Sequence, residues 1–200
     1  LEYNADRDFV FPAGKESRWL DLQNLRFKTD RISAIQQLGY GSRIILKPDQ
    51  SRATIPYFTF RDLNGQYIIS NTELIRSEDQ NDYAQVLFTY LPKNGAAYEG
   101  KSLYLSGALT GNVLDTNARM QWNSSEKVYE KWLTLKQGYY SYNYILRSDQ
   151  SPNPMHDFMW TEGDHWETEN SYTIFVYYRA PGSRYDQIIG YSSLNSIQNW

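Results

Sequence analysis

Residues 133–150, LTLKQGYYSYNYILRSDQ, and residues 161–191, TEGDHWETENSYTIFVYYRAPGSRYDQIIGY, decide the fold class of this chain. The runs at 140–146 and 172–178 are dense in Tyr, Ile, Phe and Val, the types that fit a pleated, half-buried surface. Each is long enough for a strand and too short for a typical helix. Lys136-Gln137-Gly138 before the first run and Ala180-Pro181-Gly182-Ser183 after the second supply the turns.

The same pattern continues upstream. Residues 83–91, 102–105, a start at Met120 and Trp122, and 129–135 read as further strands, spaced by turns at intervals of about ten residues as in a sandwich. In the first half, a strand is expected across Trp19 to Leu25, with others at 43–47 and 54–60. Ile32, Ile35 and Leu38 recur every third residue and hint at a helical turn, but Gly39 and Gly41 cut the pattern short, and a strand fits equally well. Asn64-Gly65, between TFRDL and QYIIS, predicts a type I′ hairpin turn, because both central residues need positive φ. Pro56 puts its strand at an edge or a bulge. Residues 76–82, RSEDQND, carry no apolar side chain and read as a linker. The expectation is an all-β chain of two consecutive antiparallel β-sandwich domains, residues 1–80 and 81–200.

Composition narrows the function classes. The 200 residues are 40% hydrophobic and 22% charged, as in a globular protein. A net charge of -3, with scattered basic residues, excludes the electrostatic footprint of a nucleic-acid binder. No apolar run approaches the roughly 20 residues of a membrane-spanning helix. The start, LEYNADRDFVF, has neither the basic nor the apolar region of a signal peptide, so an exported protein would hold this chain as a mature or excised piece. Cysteine is absent, which removes disulfides and thiolate metal sites. The 18 tyrosines against 8 phenylalanines follow from strand propensity and also suit a recognition surface.

Catalytic and metal constellations are missing. His156 and His165 stand nine apart, which matches no zinc-ligand set. The acidic group Glu162, Asp164, Glu167 and Glu169 lacks the calcium-loop pattern and reads as a solvated loop, with Thr168-Glu169-Asn170 making side-chain to backbone hydrogen bonds. There is no Gly-x-Ser-x-Gly elbow and no phosphate-cradling glycine loop. The sequence thus points to a protein that is not an enzyme and carries no cofactor or metal. What remains is surface. Trp132 sits in an apolar strand and is expected to be buried, whereas Trp160 and Trp166 flank Gly163 and are expected to be exposed. With Tyr185, His156 and His165 they form the candidate contact surface, centred on the connection 149–170.

LKQGYYSYNYIL, TEGDHWETENSYTIFVYYR and APGSRYDQIIGY, in this order, resemble the C-terminal signature of the type IX secretion system plug protein family, long catalogued as a domain of unknown function. DLQNLRF and the run from Ile55 to Ile69 resemble the region that precedes it. The resemblance covers nearly the whole chain. It implies a periplasmic, non-enzymatic accessory of an outer-membrane translocon, in contact with a barrel protein, and a fragment lacking the family's first domain. The last domain in turn is similar to the immunoglobulin-like, early-set sandwich of glycogen-binding modules, which implies a carbohydrate-binding alternative. In that alternative Gly107-Ala108-Leu109-Thr110-Gly111-Asn112 stands where a Gly-x-Phe-Asn-x-Trp loop belongs, without the Trp.

Overall fold

The computed structural model describes residues 11–39, 41–72, 81–150 and 157–197. They form twelve strands: β1 (Arg18–Asp21), β2 (Ile32–Leu38), β3 (Gly41–Leu46), β4 (Asp49–Gln50), β5 (Tyr67–Ile69), β6 (Tyr83–Leu91), β7 (Lys101–Ser106), β8 (Gln121–Asn123), β9 (Val128–Lys136), β10 (Gly138–Ser148), β11 (Ser171–Tyr178) and β12 (Gln187–Asn195). Among the described residues no α-helix occurs, and a 3₁₀ turn spans Ala108–Thr110. The chain is all-β.

Two sheets enclose one core. In the first, β10 pairs with β1, β5 and β7; in the second the order is β2-β3-β6-β9-β8, with β4 also on β6. Side chains at alternate positions of both sheets meet between them, as period-two alternation requires. Phe88 of β6 stands edge-on to Tyr142 of β10 with centroids 5.3 Å apart, and Tyr90 meets Tyr144 at 4.8 Å. Leu20, Ile44, Val86, Leu103, Leu105 and Leu146 are fully buried in the same cluster. Strands from either side of residue 80 therefore share both sheets and the core. Most of the linker expected at 76–82 lies outside the described residues.

The pairing is not purely antiparallel, because β3 and β4 both run parallel to β6. A parallel pair needs a long crossover, and the 36 residues between β3 and β6 supply it. The predicted turn at Asn64-Gly65 forms, with φ of 49° and 75° and the Gln66 N–H donating to the Leu63 carbonyl at 2.9 Å. It does not join two strands, since residues 54–60 are irregular and Phe58 is exposed; β5 pairs with β10 instead. Lys15 Nζ donates to the carbonyls of Ile55 and Pro56, at 2.7 and 3.3 Å, groups a strand would have used in a ladder.

Lys136-Gln137-Gly138 is where the chain passes from one sheet to the other, from β9 on β6 to β10 on β1 and β5. Gln137 is buried and fully used: its backbone N–H donates to Asp82, its carbonyl accepts from Ser70, and its side chain accepts from the Asp82 N–H and donates to the Gln23 carbonyl. A Cβ on Gly138 would come within 2.4 Å of the Ile68 carbonyl oxygen, so β5 can lie this close only to glycine. The Trp132 expectation is corrected. Tyr129, Leu133 and Leu135 point inward from β9, and Trp132, one step out of phase, lies on the outer face, 45% exposed, with the Arg43 guanidinium 5.2 Å from its ring centroid.

Candidate functional site

The connection after β10 is organised by charge. Glu162 is 1% exposed, not solvated as the sequence suggested, because both its oxygens are engaged. Arg18 Nε donates to Oε1 and Oε2 at 3.0 and 3.1 Å, Arg52 Nε donates to Oε2 at 2.7 Å, and the Tyr144 backbone N–H donates to Oε1 at 2.8 Å. Arg18 also donates to Asp49 Oδ1 at 2.9 Å and to the Gln50 carbonyl at 2.7 Å. Asp49 completes the network, accepting from Arg31 and from the hydroxyls of Tyr142 and Tyr144, both at 2.9 Å. Burial alone would raise the Asp49 carboxyl, but Arg18 and Arg31, with the two hydroxyls, hold it below the usual carboxylate range. Burial likewise opposes charge on Arg18, yet Glu162 and Asp49 drive it above its ordinary value. Burial pushes the Tyr142 and Tyr144 phenols up, and the charge of Asp49 adds to it.

This network fixes the loop that carries the candidate residues. The backbone N–H groups of Thr161, Glu162 and Gly163 donate to the Phe158 carbonyl, and Thr161 Oγ1 donates to the Tyr144 carbonyl at 2.5 Å. Trp160 is thereby presented at 63% exposure, with Lys101 Nζ 5.6 Å from its ring centroid. It lines a groove of about 490 Å³ between the loops 51–54, 92–99 and 159–160. Beyond Gly163 the chain turns along residues 13–14: the Asp164 carboxylate accepts from the N–H of Ala13 and Gly14, Thr168 Oγ1 donates to the Gly14 carbonyl, and Asn170 Nδ2 donates to the Ala13 carbonyl. Trp166 is 78% exposed here and does not line the groove. The His165 ring lies 5.7 Å from that of Tyr57, and its Nε2 is buried without a hydrogen-bond partner. His156 lies outside the described residues. Among the described residues no three His, Asp or Glu side chains converge as a metal site would require.

A run of exposed apolar and aromatic side chains belongs to β11 and β12. Among the described residues they pair with each other and with no other strand. Their two faces are both apolar and open: Phe175, Tyr177 and Tyr191 on one, Ile174, Val176 and Leu194 on the other, each between 46% and 67% exposed. Neither strand contains a charged residue or a proline, the features that normally guard a free edge. The loop at the tip, residues 179–186, is closed by a bidentate pair in which Arg179 Nε and NH2 donate to Asp186 at 2.8 and 2.9 Å. It carries Tyr185, 65% exposed. Eight residues at about 3.3 Å each put this tip about 26 Å from the hairpin's base. The sequence-predicted residues therefore do not form one cluster: Trp160 is in the groove, Trp166 and His165 follow it in the loop, and Tyr185 is at the hairpin tip.

The charge network and the open hairpin faces escaped sequence reading. Arg18 did leave a signal, being in phase with inward Leu20 and Leu22. Its partner Glu162 lies 144 residues away, beyond any local pattern.

Fold and surface define an all-β protein in which two sheets share one core and an exposed aromatic hairpin is paired apart from both. No family model matches the chain, and no curated protein does. Among solved structures it is similar to a hypothetical protein from Parabacteroides merdae ATCC 43184, whose crystal structure was determined at 2.30 Å resolution: the two are 31% identical, with a TM-score of 0.84, over 94% of this chain and 46% of that one. The present chain thus spans about half the length of that protein.

Proposed function

We propose that this chain is part of a non-enzymatic, plug-like accessory of an outer-membrane secretion translocon, located in the periplasm, that acts by protein-protein contact. The sequence resemblance supplies the machine. The observation that carries the contact is the β11-β12 hairpin, whose apolar faces and unguarded edges lie open. A lone two-stranded hairpin is marginal in water, so a surface of this kind is stable when another polypeptide covers it. The partner we propose is the translocon barrel protein, an extended segment of which, outside its closed sheet, adds to the hairpin edge by main-chain hydrogen bonds while apolar side chains cover the faces. The body behind it is, in the same reading, an early-set-like sandwich built from both halves of the chain, since β1 and β5 complete the sheet of β10.

The test is a pull-down from outer-membrane extract with the intact, longer protein. Wild-type bait recovers the barrel, and Tyr191→Lys lowers the recovery at least tenfold. Two results overturn the proposal: failure to recover the barrel from an extract in which other translocon components are captured by their own partners, or equal recovery by the variant. Protection of the hairpin in the longer protein by its own polypeptide, read from amide exchange in the absence of any partner, also counts against it.

A further inference from the structure

The groove beside Trp160 is a second surface that the hairpin contact does not use. Three loops meet there, and hydrogen bonds hold each of them. Ser51 Oγ donates to the Trp160 carbonyl at 2.6 Å, and the Arg52 N–H donates to the Thr161 carbonyl at 2.8 Å, tying the loop after β4 to the loop after β10. On the third loop, the Tyr98 N–H donates to the Tyr129 hydroxyl at 2.7 Å and the Tyr98 ring stacks on Tyr129 at 5.8 Å. Lys101, itself paired to Asp157 at 3.1 Å, lies over one face of the Trp160 ring and is not among the residues that line the groove, whereas Trp160 is. An exposed tryptophan fixed in this way has already lost the freedom that binding would otherwise remove.

The chemistry of the walls selects the ligand. The apolar lining of the groove is made of two aromatic rings, Trp160 and Tyr98, with Met159 and small residues, Ala53, Ala96, Ala97 and Pro92. The lining also includes the polar side chains of Asn94 and Thr54, and its two charged residues, Lys93 and Glu99, are of opposite sign. A pyranose presents the matching pattern, a patch of C–H groups on one face and hydroxyls around its edge. With one lining charge of each sign the groove favours no net charge on its ligand, and a wholly apolar ligand would leave the polar side chains without partners. At about 490 Å³ the groove falls within the range of small-ligand sites, roughly 300–1,000 Å³.

We infer that this groove binds a neutral pyranose of an oligosaccharide or a glycan chain, with the Trp160 indole as the stacking platform. The site is separate from the 107–112 loop, which has no aromatic ring and folds as the 3₁₀ turn over β10.

The experiment is affinity electrophoresis and tryptophan fluorescence titration of the protein against soluble neutral polysaccharides: a β-glucan, an α-glucan, a mannan, a xylan and a galactan. At least one retards the wild-type protein and shifts its fluorescence. Trp160→Ala weakens that binding at least tenfold with an unchanged melting temperature, Trp160→Phe retains part of it, and Trp166→Ala leaves it unaltered. Unchanged mobility on all five polysaccharides overturns the inference. So does binding that Trp166→Ala weakens as much as Trp160→Ala. None of these readings depends on the translocon partner, so either proposal can fail alone.

Discussion

Replacing Glu162 by glutamine tests whether the charge network holds the functional loops. The substitution keeps the shape of the side chain and removes one charge, so it opens no cavity. It leaves Arg18 and Arg52, now facing an amide that has only one acceptor oxygen where two carboxylate oxygens took three donors. Removing one partner of a buried ion pair costs about 3–5 kcal/mol. Asp49 and the Gln50 carbonyl still serve Arg18, which places Glu162→Gln near the lower end, about 3 kcal/mol. For a body of this size each kcal/mol lowers the melting temperature by about 2–4 °C, so the expected fall is about 6–12 °C. Differential scanning calorimetry with urea unfolding measures it, and Glu126→Gln, an exposed position, serves as the control. A loss below about 1 kcal/mol, the size of a surface ion pair, would refute the claim that Glu162 is a buried anchor.

Three further outcomes follow from the same contacts. Gly138→Ala drives a Cβ to within 2.4 Å of the Ile68 carbonyl, so the β5 backbone must shift, with a loss of about 1–3 kcal/mol measured by urea unfolding. Raising the pH destabilises the body: Tyr142 and Tyr144 have folded pKa values pushed above the unfolded value of about 10, so the unfolded chain releases their protons first, and stability complete below pH 10 falls as pH rises beyond it by up to about 1.4 kcal/mol per unit for each. Acid acts through Asp49 in the opposite sense, because its folded pKa is depressed: its contribution is intact above the unfolded value of about 4 and is lost as the pH drops through the lower folded one, which circular dichroism during acid titration reads.

Strands with dense β-branched and aromatic composition were legible from the sequence, and β6 and β11 lie where 83–91 and 172–178 placed them. Local chemistry also located the Asn64-Gly65 turn, because positive φ is a property of those two residues. It misplaced what the turn connects, since pairing partners are chosen by the whole core and not by adjacent residues. The parallel pairing of β3 with β6 is of this kind. Trp132 misled because an apolar run does not state which alternate positions face inward. Exposure of Trp160 and Trp166 could be read from their place beside a glycine loop, but the burial of Glu162 between them depends on Arg18 and Arg52, both over 100 residues away. The run at 172–178 was expected to be half-buried, and its exposure escaped for the same reason: composition reports that a strand wants cover and does not say which molecule provides it.

The most direct test of the contact proposal is photo-crosslinking from the hairpin itself. A photoreactive phenylalanine derivative placed at Tyr191 in the longer protein, expressed in cells and irradiated, is predicted to give an adduct that mass spectrometry identifies as an outer-membrane barrel protein, absent when the probe replaces Trp132, exposed on β9. Adducts formed solely within the protein's own chain, or equal barrel adducts from both positions, would contradict the account.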